Sequence, residues 1–155
     1  TKLNKSESEI PDALKLKLGC YVTIFDDEGN IIGKYGNTEP KNDYLFHEII
    51  DNAINAAQDK THAGPLKENQ LNNISIQVDV LSQPKQIDDV KFLKPHKHGI
   101  ILTRESGEKE VIFPESDGIE NLEQMLKMVR EKAGVSGDED LKKLNLQHFT
   151  TTKYK

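Results

Sequence analysis

Five consecutive residues, Gly33-Lys34-Tyr35-Gly36-Asn37, set a cation, a phenol and an amide around two glycines. Glycine lets a backbone bend sharply or approach a ligand closely. At such a bend, backbone N–H groups can hold a small anion or polar group, with Lys34 adding charge and Tyr35 offering a ring. The same residues fit a plainer role, with glycines allowing close packing at a strand end and a tyrosine filling the core. The histidines are His47, His62, His96, His98 and His148, and only His96 and His98 are close in sequence. In a strand, residues i and i+2 share a face, so both imidazoles could reach one metal ion. No third ligand accompanies them and Lys97 adds positive charge, so a surface pair at a strand entrance is the preferred reading. No metal or cofactor is predicted. Cys20 has no histidine near it in sequence and reads as a buried, inert thiol.

Other chemistries find little support. There is no Gly-x-Ser-x-Gly elbow, no Gly-Lys-Ser/Thr phosphate loop and no dinucleotide fingerprint. Asp26-Asp27-Glu28 lacks the further ligands of a calcium loop and reads as a solvated hairpin tip. Residues 33–36 share the Gly-x-x-Gly spacing of KH-type RNA-binding loops. Those loops join two helices, whereas here a strand precedes the glycines and Pro40 bars an immediate helix.

These residues sit on mixed elements. Cys20–Phe25 and residues 31–35, around an Asp26–Asn30 turn, read as a hairpin. Asn42 and Asp43 are N-cap candidates for a helix over residues 44–59, with Phe46, Ile49, Ile50, Ala53, Ile54 and Ala57 on one face. Residues 67–71 form a short polar turn. In residues 74–81, Ile74, Ile76, Val78 and Val80 point to the core and Ser75, Gln77 and Asp79 away. An irregular stretch over 84–95 precedes a second hairpin, Gly99–Thr103 with residues 110–114. Residues 121–133 form a helix that buries Leu122, Met125, Leu126 and Val129 and ends at Gly134. An alternating strand closes the chain. The class is α+β, a mostly antiparallel sheet flanked by helices. The domain organisation is an N-terminal arm over residues 1–18 and one α+β domain over 19–155, with room for a small subdomain.

The composition narrows the functions. With 155 residues and 35% apolar content, the chain supports a thin core under a heavily solvated surface. A net charge of −5 with dispersed lysines argues against a nucleic-acid binder. No apolar run approaches bilayer length, and the first residues lack the apolar core of a signal peptide. One cysteine excludes an internal disulfide and fits a reducing cytoplasm.

The order of several patches resembles the AMMECR-type domain family over residues 19–149. Residues 20–33 (CYVTIFDDEGNIIG) resemble its opening strand pair, and NAINAAQD over 52–59 its Asn-Ala-x-x-Ala-Ala helix. Residues 65–87 (PLKENQLNNISIQVDVLSQPKQI) resemble its Pro-Leu, Glu-Leu, Ile-x-Val-x-Val-Leu-Ser-x-Pro run, and HKHGIIL its His-Gly strand entrance, which makes His98 the matching histidine. FPES and REKAGV resemble its Leu-Pro and Lys-Ala-Gly positions. The family's hallmark is Leu-Arg-Gly-Cys-Ile-Gly, where this chain has Ile31-Ile32-Gly33-Lys34-Tyr35-Gly36. Both glycines stand, while the arginine and cysteine are replaced. Asp59-Lys60-Thr61-His62 likewise stands for the family's Asp-x-Arg-Phe. Chemistry that needs that arginine or thiol would be lost here.

The resemblance implies a diverged member and an α+β fold, and it implies a pathway association with radical-SAM and Memo-type proteins. Two functions follow from the residues. The first is a non-catalytic binding or accessory module using the Gly33–Asn37 bend, with His98 nearby, for a protein partner or small molecule. The second is an enzyme acting on a small phosphorylated or nucleotide-like molecule through Lys34 and a histidine.

Overall fold

The computed structural model describes residues 9–155, and the front of the expected N-terminal arm lies outside the described residues. The chain divides into two compact units, one running to Leu81 and regaining Thr152–Lys155, the other comprising Ser82–Thr151.

The first unit is built on strands β1 (Cys20–Phe25), β2 (Ile31–Asn37), β3 (Ser75–Leu81) and β8 (Thr151–Tyr154), in the order β2-β1-β3-β8. β1 pairs antiparallel with both β2 and β3. The β1–β2 turn forms because Asp26 folds back on itself. Its carboxylate accepts the N–H groups of Glu28 and Asn30, and Gly29 takes a φ of 86°. Helix α1 (Leu45–Ala57) packs on one face of this sheet. Val22, Ile24 and Ala56 form the centre of the core, with Ile32, Ile49, Ala53, Ala57, Leu66, Ile74 and Val78 around them.

The second unit holds β4 (Lys85–Gln86), β5 (Gly99–Thr103), β6 (Lys109–Ile112) and β7 (Asn145–Phe149), in the order β4-β7-β5-β6. Helices α2 (Leu122–Ala133) and α3 (Asp138–Leu141) complete it. α2 starts where Asn121 accepts the Gln124 N–H and ends at Gly134 in the left-handed region. Met125 and Val129 are fully buried among Leu93, Ile100, Leu102, Ile112 and Leu146, while Leu122 and Leu126 pack at the edge of this core. The architecture is α+β with two four-stranded sheets where one was expected.

Four expectations change. The closing strand is two strands in different sheets, because Ser82 clamps Thr150 between them through Ser82 N–H to the Thr150 carbonyl and Thr150 N–H to Ser82 Oγ. The helical cap is Tyr44, since Asn42 bonds Glu48 and Asp51 while Asp43 pairs with Lys17. On α1 the fully buried line is Leu45, Glu48, Asn52 and Ala56, and Ile54 is exposed. On β3, Ile76 is exposed and Asp79 is buried. Alternation assigns a residue to a face but does not say which face is covered at that point.

Candidate functional site

Residues 33–37 form no bend. They are the body of β2, paired one to one with Ile24 through Cys20 of β1. Gly33 and Gly36 have no positive φ, and both are required by packing. A Cβ on Gly33 would fall closer than 3.0 Å to the Ala56 carbonyl oxygen of α1, and one on Gly36 would meet the Tyr21 ring and the Cys20 carbonyl. Strand alternation then sends Tyr35 and Asn37 toward α1 and Lys34 to the other face, where its ammonium lies 5.9 Å from the Tyr21 ring.

Tyr35 and Asn37 meet α1 at a cleft of about 160 Å³. Its helical wall is Glu48, Asp51, Asn52 and Asn55, which share one side of α1 at helical spacing. Lys41, Asn42 and Ile54 complete the lining. Glu48 is 1% exposed and its carboxylate is saturated. Oε2 accepts the N–H groups of Lys41 at 3.0 Å and Asn42 at 2.9 Å, together with Asn42 Nδ2 at 2.9 Å; Oε1 accepts Asn37 Nδ2 at 3.2 Å. Burial pushes this carboxyl up, but the donors outweigh it and hold the group below its ordinary value. Asn52 continues the network, accepting Asn37 Nδ2 at 3.3 Å and donating to the Cys20 carbonyl at 3.0 Å. The Cys20 thiol is fully buried, and desolvation pushes it up to about 11, so it is an inert core group.

The loop after α1 reaches the outer edge of β2. Asp59 accepts the Lys34 N–H at 3.1 Å, and Ala63 N–H donates to the Ile32 carbonyl at 3.4 Å. Thr61 donates both its N–H and its hydroxyl to Asp59, and His62 Nδ1 lies 2.6 Å from the same carboxylate. Those donors, led by Thr61, hold the Asp59 carboxyl far below the usual range. Thr61 and Asp59 both approach His62 at Nδ1, so the three do not form a nucleophile relay, which would use both ring nitrogens.

His98 belongs to the second unit and lies in a turn just before β5, buried, whereas His96 is exposed. The two therefore do not share a strand face. The rings around His98 are Phe92 and His148, with centroids 5.3 Å away in each case. Among the described residues, no group of three or more His, Cys, Asp or Glu is placed to hold a metal ion. Desolvation holds both His98 and His148 below the ordinary imidazole value of 6.5. An imidazole depressed in the folded state contributes full stability above its unfolded value and loses it as pH falls toward the folded one. Urea midpoints should therefore decline from pH 7 to pH 5, and His148→Phe should flatten that decline; an unchanged slope in the variant would refute the assignment.

Glu48, Asn52 and Asp59 were not among the site residues read from the sequence, although Asn52 and Asp59 stand in its family-like patches. For Glu48 and Asn52 spacing was a further signal, since Glu48, Asn52 and Ala56 recur every four residues along the line that faces the sheet.

The AMMECR1 family model matches residues 1–154. A Thermotoga maritima protein is 30% identical over 99% of this chain and 87% of its own length. A Clostridium acetobutylicum protein is 30% identical over 95% of this chain, which spans only 31% of that relative. The crystal structure of an uncharacterized protein from Pyrococcus horikoshii shares the fold, with a TM-score of 0.73 at 21% identity, covering 96% of this chain and 78% of that one. Among the described residues no helix is long and apolar enough to cross a membrane. A matching order of patches, a family model spanning nearly all residues and a shared fold lead to one conclusion: the chain belongs to the AMMECR1 family.

Proposed function

We propose that this protein is a non-catalytic binding module of the cytoplasm that receives a side chain of a protein partner in the α1–β2 cleft. The observation that carries this reading is the saturation of Glu48. A carboxylate that accepts four hydrogen bonds and is held below its ordinary value is a fixed floor, not a proton acceptor. Size points the same way. Pockets for cofactors and metabolites run to roughly 300–1,000 Å³, and this cleft offers about 160 Å³, which suits one side chain. Its rim carries Tyr35 at 37% and Ile54 at 53% exposure, an aromatic and an aliphatic anchor of the kind that dominates protein interfaces. Asp51 and Glu48 outnumber Lys41 among the lining charges, favouring a partner side chain that donates hydrogen bonds.

The test is quantitative capture from lysate with wild type, Tyr35→Ala and Ile54→Ser compared by mass spectrometry. A specific partner should fall at least about tenfold with either variant, at unchanged melting temperature, as for a loss of 1.4 kcal/mol or more. Equal capture by all three would overturn the reading. The alternative, an enzyme using Lys34 on a phosphorylated small molecule, predicts instead that nucleotides or phosphorylated metabolites raise the melting temperature and that Lys34→Ala abolishes the rise.

A further inference from the structure

We propose that the His98–His148–Phe92 cluster of the second unit is a binding site for a phosphate dianion. Sheet register assembles it from distant parts of the chain. His148 on β7 stands opposite Lys85 of β4 on one side and Ile100 of β5 on the other. His98 immediately precedes β5, and Phe92 ends the short 3-10 helix at Val90–Phe92. The three rings form a closed triangle, with Phe92 4.9 Å from His148 and the remaining pairs at 5.3 Å. Phe92 is 42% exposed and forms the solvent-facing side of the cluster, whereas His98 is buried.

Two features mark it as more than core packing. The first is an unmet buried nitrogen. His148 Nδ1 is buried and has no hydrogen-bond partner, an arrangement that calls for a ligand or water. His98 Nδ1 accepts the Lys94 N–H at 3.0 Å, so the proton of neutral His98 sits on Nε2 and is available to donate. The second is charge. Lys85 faces His148 across the strand pair, and Lys94 and Lys97 flank His98; all three are exposed and, among the described residues, make no ion pair. Asp88 opposes the lysines at His148. A metal cation would meet this positive field with only two imidazoles to hold it, whereas an anion is attracted by it. Desolvation, with these lysines adding to it, holds both rings below the ordinary imidazole value when the site is empty. A dianion reverses that balance, so binding draws a proton onto His148, whose Nδ1 is unpaired, while His98 keeps the Lys94 N–H on Nδ1 and donates from Nε2. The exposed Phe92 face would then lie beside whatever group the phosphate carries.

The experiment is imidazole 15N NMR of the full chain at pH 7 during titration with inorganic phosphate, at ionic strength fixed with sodium chloride. The ring nitrogens of His148 should move toward imidazolium values and Nε2 of His98 should shift as it donates to the anion, while the nitrogens of exposed His96 stay. Lys85→Glu should weaken binding at least about fivefold, because it reverses a charge facing the site. His148→Phe should abolish the response of His98, and if that variant does not fold, Lys85→Glu decides. Phenyl phosphate distinguishes a bare ion from a phosphomonoester. Tighter binding than inorganic phosphate, lost in Phe92→Ala, assigns the site to an aromatic phosphomonoester; equal binding assigns it to free phosphate. Unmoved ring nitrogens, or identical titrations of wild type and Lys85→Glu, would overturn the proposal.

Discussion

Replacing Glu48 with alanine should cost about 3 kcal/mol, because one substitution strips the acceptor from four donors at once. At roughly 2–4 °C per kcal/mol for a chain of this size, the melting temperature should fall by about 6–12 °C. The N–H groups of Lys41 and Asn42 lose their partner, and the 38–43 segment loses its tie to α1. Asn37 keeps only Asn52. Glu48→Gln is the informative companion. It preserves the volume but turns an amide NH2 group toward one set of donors, so it should cost about 1–2 kcal/mol. Chemical denaturation of both variants gives the comparison. A Glu48→Ala protein as stable as wild type would mean that the buried carboxylate is dispensable for the fold, and the case for a fixed floor would fall with it.

Gly33→Ala should be nearly as damaging, at about 3 kcal/mol, the upper range for an overpacked site. The obstacle is the carbonyl oxygen of Ala56, a main-chain atom of α1 that no rotamer change can move. Ala56→Gly should therefore fail to rescue the variant, which separates a backbone clash from a side-chain one. Circular dichroism melts of the single and double variants make the measurement. A neutral Gly33→Ala would show that α1 can shift off β2 without cost, and the glycine would need an explanation outside packing. Packing thus accounts for both glycines, Gly33 against the α1 backbone and Gly36 against Tyr21 and the Cys20 carbonyl of β1, while Tyr35 reaches the cleft and Lys34 the opposite face.

The fold was legible where residues interact with near neighbours. The first hairpin up to Tyr35, α2 and its Gly134 cap, and the Gly99–Ile112 hairpin follow from alternation, helical spacing and turn residues. Legibility failed where a polar residue goes inside. Hydropathy sends Glu48, Asn52 and Asp79 to the surface, yet Glu48 and Asn52 are buried against partners that tertiary structure supplies and Asp79 against Gln77 of its own strand. It failed again at Thr150, where no glycine or proline marks the change of sheet and Ser82, 68 residues away, makes the break. Of the Gly33–Asn37 stretch singled out from the sequence, only Tyr35 and Asn37 reach the cleft. The pairing of His98 with His148 depends on β5–β7 register, which local periodicity does not encode.

The loop at 59–63 has a consequence for how copies of this protein meet one another. β2 is the outermost strand of its sheet, and an outermost strand is a template onto which another chain can add its own. Asp59 occupies the Lys34 amide and Ala63 the Ile32 carbonyl, so two of the outward backbone groups are already taken. An incoming strand would have to displace a charged carboxylate before it could form a ladder. The result is selective. Tyr35 and Asn37 still line the cleft, while growth of the sheet from molecule to molecule is hindered at this edge by the chain's own loop.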